Sequence, residues 1–370
     1  MSDNGSSTPL GRLSQLGQSV WVDFISREAL ESGELERMVR EDAVVGLTSN
    51  PTIFQKAIAS GHHYDDQLRE VLEHEEDGGE VFLELAVTDI QSAADLLRPI
   101  WDEGSGRDGY VSLEVDPTLA HDADGTAQAA QRIWDLVDRP NLLVKIPGTK
   151  EGLRAIEDSI ARGISINVTL LFALERHAEV CDAYIRGLER LIEDGGDPTN
   201  VASVASFFVS RVDTEVDNRL DEIGGHDELK GKAAIANAKL AYQTYKEKFA
   251  GDRWQALAGK GATPQRALWA STSTKNPDYR DVVYVEELIG PDTVNTMPVE
   301  TIEAFQDHGE VANTLEEDLD AAQKVFDDLE AAGIDIADVG RTLEREGVEK
   351  FVKSWDELVS TVQGQLDAAK

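Results

Sequence analysis

Residues 141–152 read NLLVKIPGTKEG, in which an apolar run from Leu142 to Ile146 contains one lysine and ends in a Pro-Gly turn. The run has the composition of a buried strand, and the following KEGLRAIEDSIA has the spacing of a helix. Because side chains alternate along a strand, Val144 and Ile146 lie on one face and Lys145 on the other. Burying a charged amine is costly, so Lys145 indicates a special position inside the fold.

The strand–helix unit around Lys145 is repeated along most of the chain. Eight candidate strands alternate with mostly helical stretches, at 19–25, 43–50, 110–116, 141–147, 163–169, 201–208, 266–272 and 292–298. This rhythm predicts an α/β fold, a (β/α)8 TIM barrel, with a doubly wound open sheet as the alternative. Only helical patterns follow from about 300 to 370, which predicts additional C-terminal helices. We therefore expect a flexible leader at 1–14 and a single barrel domain at 15–370.

The bulk composition excludes several classes of partner. The chain has 71 acidic and 35 basic residues, a formal net charge of −36, and such a surface repels nucleic acid and anionic membranes. Its single cysteine, Cys181, forms no internal disulfide, and neither an export signal nor a membrane-length apolar run is visible. These features predict a soluble, cytoplasmic protein.

Polar residues gather at the C-terminal ends of the predicted strands. The alternation that isolates Lys145 assigns six side chains to the barrel interior, namely Asp23, Asn50, Glu114, Lys145, Asn167 and Thr169. Barrel active sites lie at that end of the strands. One inward polar residue could be structural, whereas a lysine, two acids and two amides together indicate a catalytic site.

The chemistry open to this set is that of an interior amine. Burial favours the neutral form of an amine, which can attack a carbonyl to form a Schiff base, while Asp23 and Glu114 can move protons. The GSGRDG stretch at 104–109 precedes a strand instead of following one, so it is interpreted as a loop and not as a dinucleotide site. The alternative for Lys145 is a structural ion pair with one of the two acids.

Seven motifs resemble those of the transaldolase family of Schiff-base barrel enzymes in the non-oxidative pentose phosphate pathway. In family order they are VDF (22–24), GLTSNPTIFQKAI (46–58), SLEVDP (112–117), LLVKIPGTKEG (142–152), SINVTLLF (165–172), SFFVSRVD (206–213) and WASTSTKNPDY (269–279). The resemblance extends from about residue 15 to the end of the chain. The length is similar to that of the longer bacterial form.

The resemblance implies transfer of a dihydroxyacetone unit from sedoheptulose 7-phosphate to glyceraldehyde 3-phosphate, without metal or organic cofactor. It implies that Lys145 forms the Schiff base with the donor ketose. Asp23 would then take the proton of the hydroxyl at the cleaved bond. Glu114 would relay protons through a water held by Thr169.

The resemblance also implies roles in substrate binding. Asn50 and Asn167 would hold the hydroxyls of the three-carbon unit, and Thr48 would line the same pocket. The sugar phosphate would meet Arg211, Ser206 and the loop after the seventh strand. The resemblance thus implies sugar-phosphate substrates. It leaves open whether the protein is a monomer or a homodimer.

The loop after the seventh strand departs from the family's better-known Ser-x-Arg pattern. It reads Ser271-Thr-Ser-Thr-Lys275, so Lys275 is the expected cation, with a solvent-exposed surface lysine as the alternative. Two other functions stay open at this point: a related aldolase that releases the three-carbon fragment, and a non-enzymatic barrel. Borohydride trapping on Lys145 would separate the enzymes from the scaffold, and product analysis with and without acceptor would separate the two enzymes.

Overall fold

The computed structural model contains a closed barrel of parallel strands, and it describes residues 8–60 and 62–369. Within those ranges the eight strands are β1 (Gln18–Asp23), β2 (Val44–Thr48), β3 (Val111–Glu114), β4 (Leu142–Pro147), β5 (Ile166–Leu171), β6 (Ser203–Phe208), β7 (Arg266–Ala270) and β8 (Thr293–Met297). Each strand pairs with the next, and β8 pairs with β1. The predicted (β/α)8 barrel is thus confirmed, because an open sheet would leave those two edge strands apart.

Helices surround the barrel, and further helices follow its eighth unit. In chain order they are α1 (Pro9–Gln15), α2 (Arg27–Glu31), α3 (Glu34–Glu41), α4 (Pro51–Ala59), α5 (Asp65–Val71), α6 (Gly78–Glu103), α7 (Ala123–Val137), α8 (Gly152–Ala161), α9 (Leu174–Glu193), α10 (Ser210–Ile223), α11 (Ala233–Lys248), α12 (Asp252–Ala258), α13 (Val283–Glu286), α14 (Val299–His308), α15 (Leu319–Ala331) and α16 (Ile336–Ala369). In the described ranges, none is both long and apolar enough to cross a bilayer.

The predicted C-terminal helices are confirmed, although they begin later than expected. α14 follows β8 and packs beside α1 and β1, so it completes the eighth strand–helix unit. The appended helices are therefore α15, which packs on α11, and α16, which packs on α4, α6 and α10. α16 also contacts β5, so this last helix lies over the barrel instead of standing apart from it.

Part of the segment expected to be a flexible leader, 1–14, is helical. Pro9–Gln15 forms α1, and the hydroxyl of Thr8 accepts a hydrogen bond from a first-turn N–H at 3.1 Å. The two leucines of this helix are fully buried, and the helix packs on β1 and α14. Two apolar residues in so short a segment give little periodic signal, which is why the sequence pattern missed the helix. Residues 1–7 of the expected leader lie outside the described residues.

The pairing register brings the polar residues side by side. Glu114 is the register partner of Lys145, and Lys145 is the partner of Asn167 on its other side. Asp23 is likewise paired with Thr48. Adjacent strands are only about 4.8 Å apart, so side chains on one face at matched positions come into contact. The register therefore builds a single polar site at the C-terminal end of the barrel.

A tryptophan fills the barrel interior beneath that site. Trp21 is fully buried, and its ring lies so close to Gly46 that a Cβ there would come within 2.4 Å of it. The pairing of β1 with β2 shifts register between Val20 and Val22, next to this contact. A glycine is thus required at position 46 by the close approach of the indole.

Candidate active site

A cavity of about 230 Å³ opens at the C-terminal end of the barrel. Nine of the eleven side chains predicted for the site line it: Asp23, Thr48, Asn50, Lys145, Thr169, Ser206, Arg211, Ser271 and Lys275. The other two, Glu114 and Asn167, lie behind this lining and contact Lys145 and Ser206. The structure therefore gathers the whole predicted set in and around one cavity.

Lys145 stands on the wall of this cavity with its side chain 6% exposed. Its Nζ donates a hydrogen bond to the carbonyl oxygen of Ser49 at 2.8 Å and lies 3.5 Å from Oε2 of Glu114. An ammonium carries three donors, so one carbonyl and one distant carboxylate leave it incompletely paired. The amine is thus positioned to react with a molecule in the cavity.

Glu114 is buried beside this amine. Desolvation raises the pKa of its carboxyl to about 7, although the charge of Lys145 acts in the opposite direction. Both carboxyl oxygens, and the hydroxyl of Thr169, are buried without a hydrogen-bond partner in the described part of the chain. A carboxyl group with a pKa near neutrality can donate and accept protons with similar ease.

Asp23 lines the cavity close to Lys145 and is held by a pair of threonines. Thr48 donates its hydroxyl proton to Oδ1 of Asp23 at 2.6 Å, and the hydroxyl of Thr296 lies 2.7 Å from that of Thr48. Burial raises the pKa of Asp23, while Lys145 and the Thr48 hydrogen bond oppose the shift. The chain of hydroxyls fixes the carboxylate in one orientation and leaves its second oxygen for a ligand.

The two asparagines of the predicted site differ in how free they are. Asn50 caps α4, with Oδ1 accepting the N–H of Ile53 at 3.1 Å, and its side chain lines the cavity. Asn167 is held at both ends of its amide: Nδ2 donates one hydrogen to Oγ of Ser112 at 3.1 Å, and Oδ1 accepts from Ser206 at 2.7 Å. Ser206, expected near the phosphate, thus directs its proton to Asn167, the register partner of Lys145.

The far side of the cavity is cationic. Arg211, in the first turn of α10, lies over the ring of Phe208 at 5.0 Å, and burial lowers the pKa of its guanidinium. Lys275 donates from Nζ to Oγ of Ser273 at 2.8 Å. Ser271 has a left-handed φ of 55°, which turns the loop after β7 toward this end. Arg211 and Lys275 thus form a cationic surface suited to an anion.

Sequence reasoning missed several residues that line the same cavity, among them Thr296, Lys350 and Phe351. Thr296 lies near the end of β8, the last of the predicted strands, and its position there is the signal that could have revealed it. Lys350 and Phe351 belong to α16, far along the chain. No local pattern marks them, because only the packing of α16 over the barrel brings them to the cavity.

Comparisons with known proteins agree on one family. The family model described as transaldolase/fructose-6-phosphate aldolase matches residues 20–362. A transaldolase of Frankia alni is 54% identical over 363 residues, covering 97% of this chain and 98% of its own length. A transaldolase of Acidothermus cellulolyticus is 54% identical over 364 residues, and one of Saccharopolyspora erythraea is 53% identical over 362 residues, each covering 98% of both chains.

Proposed function

The chain belongs to the transaldolase/fructose-6-phosphate aldolase family and is a transferase of the transaldolase type, and from this premise we propose which residues perform the reaction. The reaction moves a dihydroxyacetone unit from sedoheptulose 7-phosphate to glyceraldehyde 3-phosphate, giving erythrose 4-phosphate and fructose 6-phosphate. The observation that carries the assignment is the buried carboxyl of Glu114 lying 3.5 Å from Nζ of Lys145, at the wall of the cavity that Asp23 also lines.

Lys145 is the nucleophile in this proposal. Its neutral amine attacks the C2 carbonyl of the donor ketose and forms a carbinolamine. Glu114, with a pKa of about 7, enters as the protonated acid: it gives its proton to the C2 oxygen as the carbinolamine forms, takes the proton of the attacking nitrogen, and gives that proton to the C2 hydroxyl, which leaves as water while Glu114 becomes a carboxylate. Thr169, whose buried hydroxyl lines the cavity, would orient the water that carries these protons. The product of the step is a positively charged iminium on Lys145.

Asp23 acts in the cleavage of the carbon–carbon bond. Its carboxylate accepts the proton of the C4 hydroxyl, a C4 carbonyl forms, and the C3–C4 electron pair moves toward the iminium. The aldose phosphate then leaves, and a neutral enamine of the three-carbon unit stays on Lys145. Thr48 holds Asp23 for this proton transfer, and a raised pKa makes the carboxylate a stronger base.

The three-carbon unit is retained until an aldehyde acceptor enters and the steps run in reverse. Asn50 would bind a hydroxyl of this unit through its amide nitrogen, because its oxygen already caps α4. Asn167, fixed by Ser112 and Ser206, would contribute its second amide hydrogen. Arg211, Ser271 and Lys275 would bind the phosphate that donor and acceptor both carry.

Borohydride trapping tests the assignment of Lys145. Wild-type protein incubated with fructose 6-phosphate and borohydride should acquire a covalent adduct that peptide mass spectrometry locates at Lys145. Lys145→Met should give no adduct, whereas Lys150→Met, at an exposed position of the same segment, should behave as wild type. An adduct on a different lysine would refute the assignment, and its complete absence from folded wild-type protein would refute Schiff-base chemistry at this site.

We also propose a cytoplasmic location and a monomeric or homodimeric state. The family's sugar-phosphate substrates support the location, as does the one cysteine, Cys181, which is buried as a free thiol. Sedimentation equilibrium of the full chain distinguishes the monomer from the homodimer, and a larger assembly would contradict both.

A further inference from the structure

α16 contributes two side chains, Lys350 and Phe351, to the lining of the cavity. The helix is fixed there by contacts on both sides of that pair. Ser354 lies 2.9 Å from the hydroxyl of Thr52 in α4, so the two are hydrogen-bonded. One turn before Lys350, Gly347 packs so closely on Leu170 that a Cβ at position 347 would come within 3.0 Å of the leucine side chain. The position of Lys350 at the cavity rim is therefore set by packing.

Besides Lys145, three cations from three separate elements line this cavity, namely Arg211 of α10, Lys275 of the loop after β7, and Lys350 of α16. In the described residues no carboxylate oxygen comes within 4.0 Å of the charged nitrogens of any of them. The charge of Arg211 is the main cause that lowers the pKa of Lys350, with Lys275 adding to it. The three charges thus repel one another; Asp23 of the same cavity offsets part of the charge of Arg211 but forms an ion pair with none of the three.

This grouping is unusual in so acidic a chain. With 71 acidic and 35 basic residues, most arginines and lysines have a carboxylate partner nearby, and the neighbouring Lys353 of the same helix pairs with Glu357. Like charges brought together without counter-charges cost stability, so such a cluster indicates that a bound anion supplies the missing charge. The cluster lines the same cavity as Lys145, and this arrangement suits a molecule that has a carbonyl group and an anionic group.

We propose that Lys350 binds the phosphate of the sugar substrate, so that α16 forms one wall of the phosphate subsite. The proposal rests on the function proposed above, because it takes the molecule attached to Lys145 to be a sugar phosphate. A dianionic phosphate bridges Arg211 and Lys275, on the barrel, to Lys350, on the appended helix. Binding of phosphate therefore ties α16 to the barrel mouth.

The experiment compares phosphorylated with non-phosphorylated substrates in Lys350→Gln. The loss of one charge-assisted contact should raise the KM for fructose 6-phosphate about tenfold, with kcat nearly unchanged, because the phosphate contact is the same in ground and transition states. Reaction with non-phosphorylated fructose should be unaffected. Inhibition by inorganic phosphate should weaken by a similar factor.

Two further variants serve as controls. Lys353→Gln removes a lysine from the exposed face of the same helix and should leave every parameter at the wild-type value. Lys350→Arg keeps the charge and should restore most of the affinity for phosphate. An unchanged KM and unchanged phosphate inhibition in Lys350→Gln would overturn the proposal, as would equal losses with phosphorylated and non-phosphorylated sugars.

The outcome is separable from that of the proposed function. Borohydride trapping of Lys350→Gln at saturating fructose 6-phosphate should give as much Lys145 adduct as wild type. If wild-type protein forms no adduct, the Schiff-base assignment fails. Weakened phosphate inhibition in Lys350→Gln would still assign this residue to an anion site, whereas normal trapping with unchanged inhibition would refute the Lys350 proposal alone.

Discussion

Arg266 and Lys145 are buried cations inside the same barrel, the first at the N-terminal end of β7 and the second near the C-terminal end of β4. Arg266 donates to Oγ of Ser19 at 2.8 Å, to Oδ1 of Asp108 at 2.9 Å and to the carbonyl oxygen of Arg107. Ser19 in turn donates to the other oxygen of Asp108 at 2.8 Å. Among the residues that the structure describes, Lys145 has only the carbonyl of Ser49 and a carboxylate 3.5 Å away as partners.

The contrast separates structural charges from reactive ones. At the N-terminal end Arg266 and Asp108 form an ion pair at 2.9 Å, and Ser19 and a backbone carbonyl add hydrogen bonds, as buried ions require if they are not to destabilise the fold. At the C-terminal end Lys145 and Glu114 lie 3.5 Å apart, and burial raises the pKa of Glu114. The barrel thus has an incompletely paired site at one end and a directly paired, hydrogen-bonded cluster at the other.

Glu114→Gln tests the C-terminal end of the barrel, where Lys145 lies, and has the largest expected effect of the three changes. Loss of the group that moves protons at C2 should lower kcat by roughly 10²- to 10⁴-fold and remove the ionisation near pH 7 from its pH profile. Steady-state rates between pH 5 and 9 measure both. Glu357→Gln, on the exposed face of α16, is the control and should keep wild-type rates.

The same variant has a distinct stability profile. A carboxyl whose folded pKa is raised to about 7 stabilises the fold below its unfolded pKa, and this contribution is lost as the pH rises through 7. Lys145 offsets part of the loss in the wild type. Glu114→Gln should therefore show a smaller decline in Tm between pH 5 and 8. A large loss of stability at pH 8 would instead make Glu114 and Lys145 a structural ion pair.

Arg266→Met tests the N-terminal end of the barrel, where Arg266 pairs with Asp108. Removing the cation leaves Asp108 as an unpaired charge in the barrel, which should lower the free energy of unfolding by about 3–5 kcal/mol. The kcat of the remaining folded protein should stay close to that of wild type. Urea unfolding gives the first quantity, and initial rates well below the Tm give the second.

The neighbouring Arg107 supplies the matched comparison, because its pair with Asp292 is about half exposed. Arg107→Met should cost at most about 1 kcal/mol. In the double variant Arg266→Met with Asp108→Asn, much of the lost stability should return, since no buried charge is left without a partner. Equal losses of unfolding free energy in Arg266→Met and Arg107→Met would contradict the structural role of the buried Arg266–Asp108 cluster.

Tyr279→Phe has the smallest expected effect and concerns the loop that carries Lys275. The hydroxyl of Tyr279 donates to Oδ2 of Asp217 at 2.6 Å and so ties this loop to α10. Its loss should cost about 1 kcal/mol of stability and raise the KM for fructose 6-phosphate roughly threefold, with kcat unchanged. Hydrogen exchange of the 271–279 amides should accelerate, and unchanged exchange would contradict this role.

Local patterns in the sequence account for most of the fold. Short apolar runs between helical stretches identified all eight strands, and side-chain alternation within strands assigned Lys145, Glu114 and Asp23 to one interior. It succeeded because the two-residue period of a strand is a property of the chain itself. α1 escaped detection, since its apolar residues are too few to give a periodic signal.

The sequence by itself thus determined the eight strand–helix units, the C-terminal helices and most of the residues that surround Lys145. Only the tertiary structure decided the closure of β1 on β8, the raised pKa of Glu114 and the arrival of Lys350 at the cavity. These features depend on desolvation and on contacts between segments far apart in the chain. Neither desolvation nor a long-range contact is encoded in the spacing of neighbouring residues, so only the folded structure shows these features.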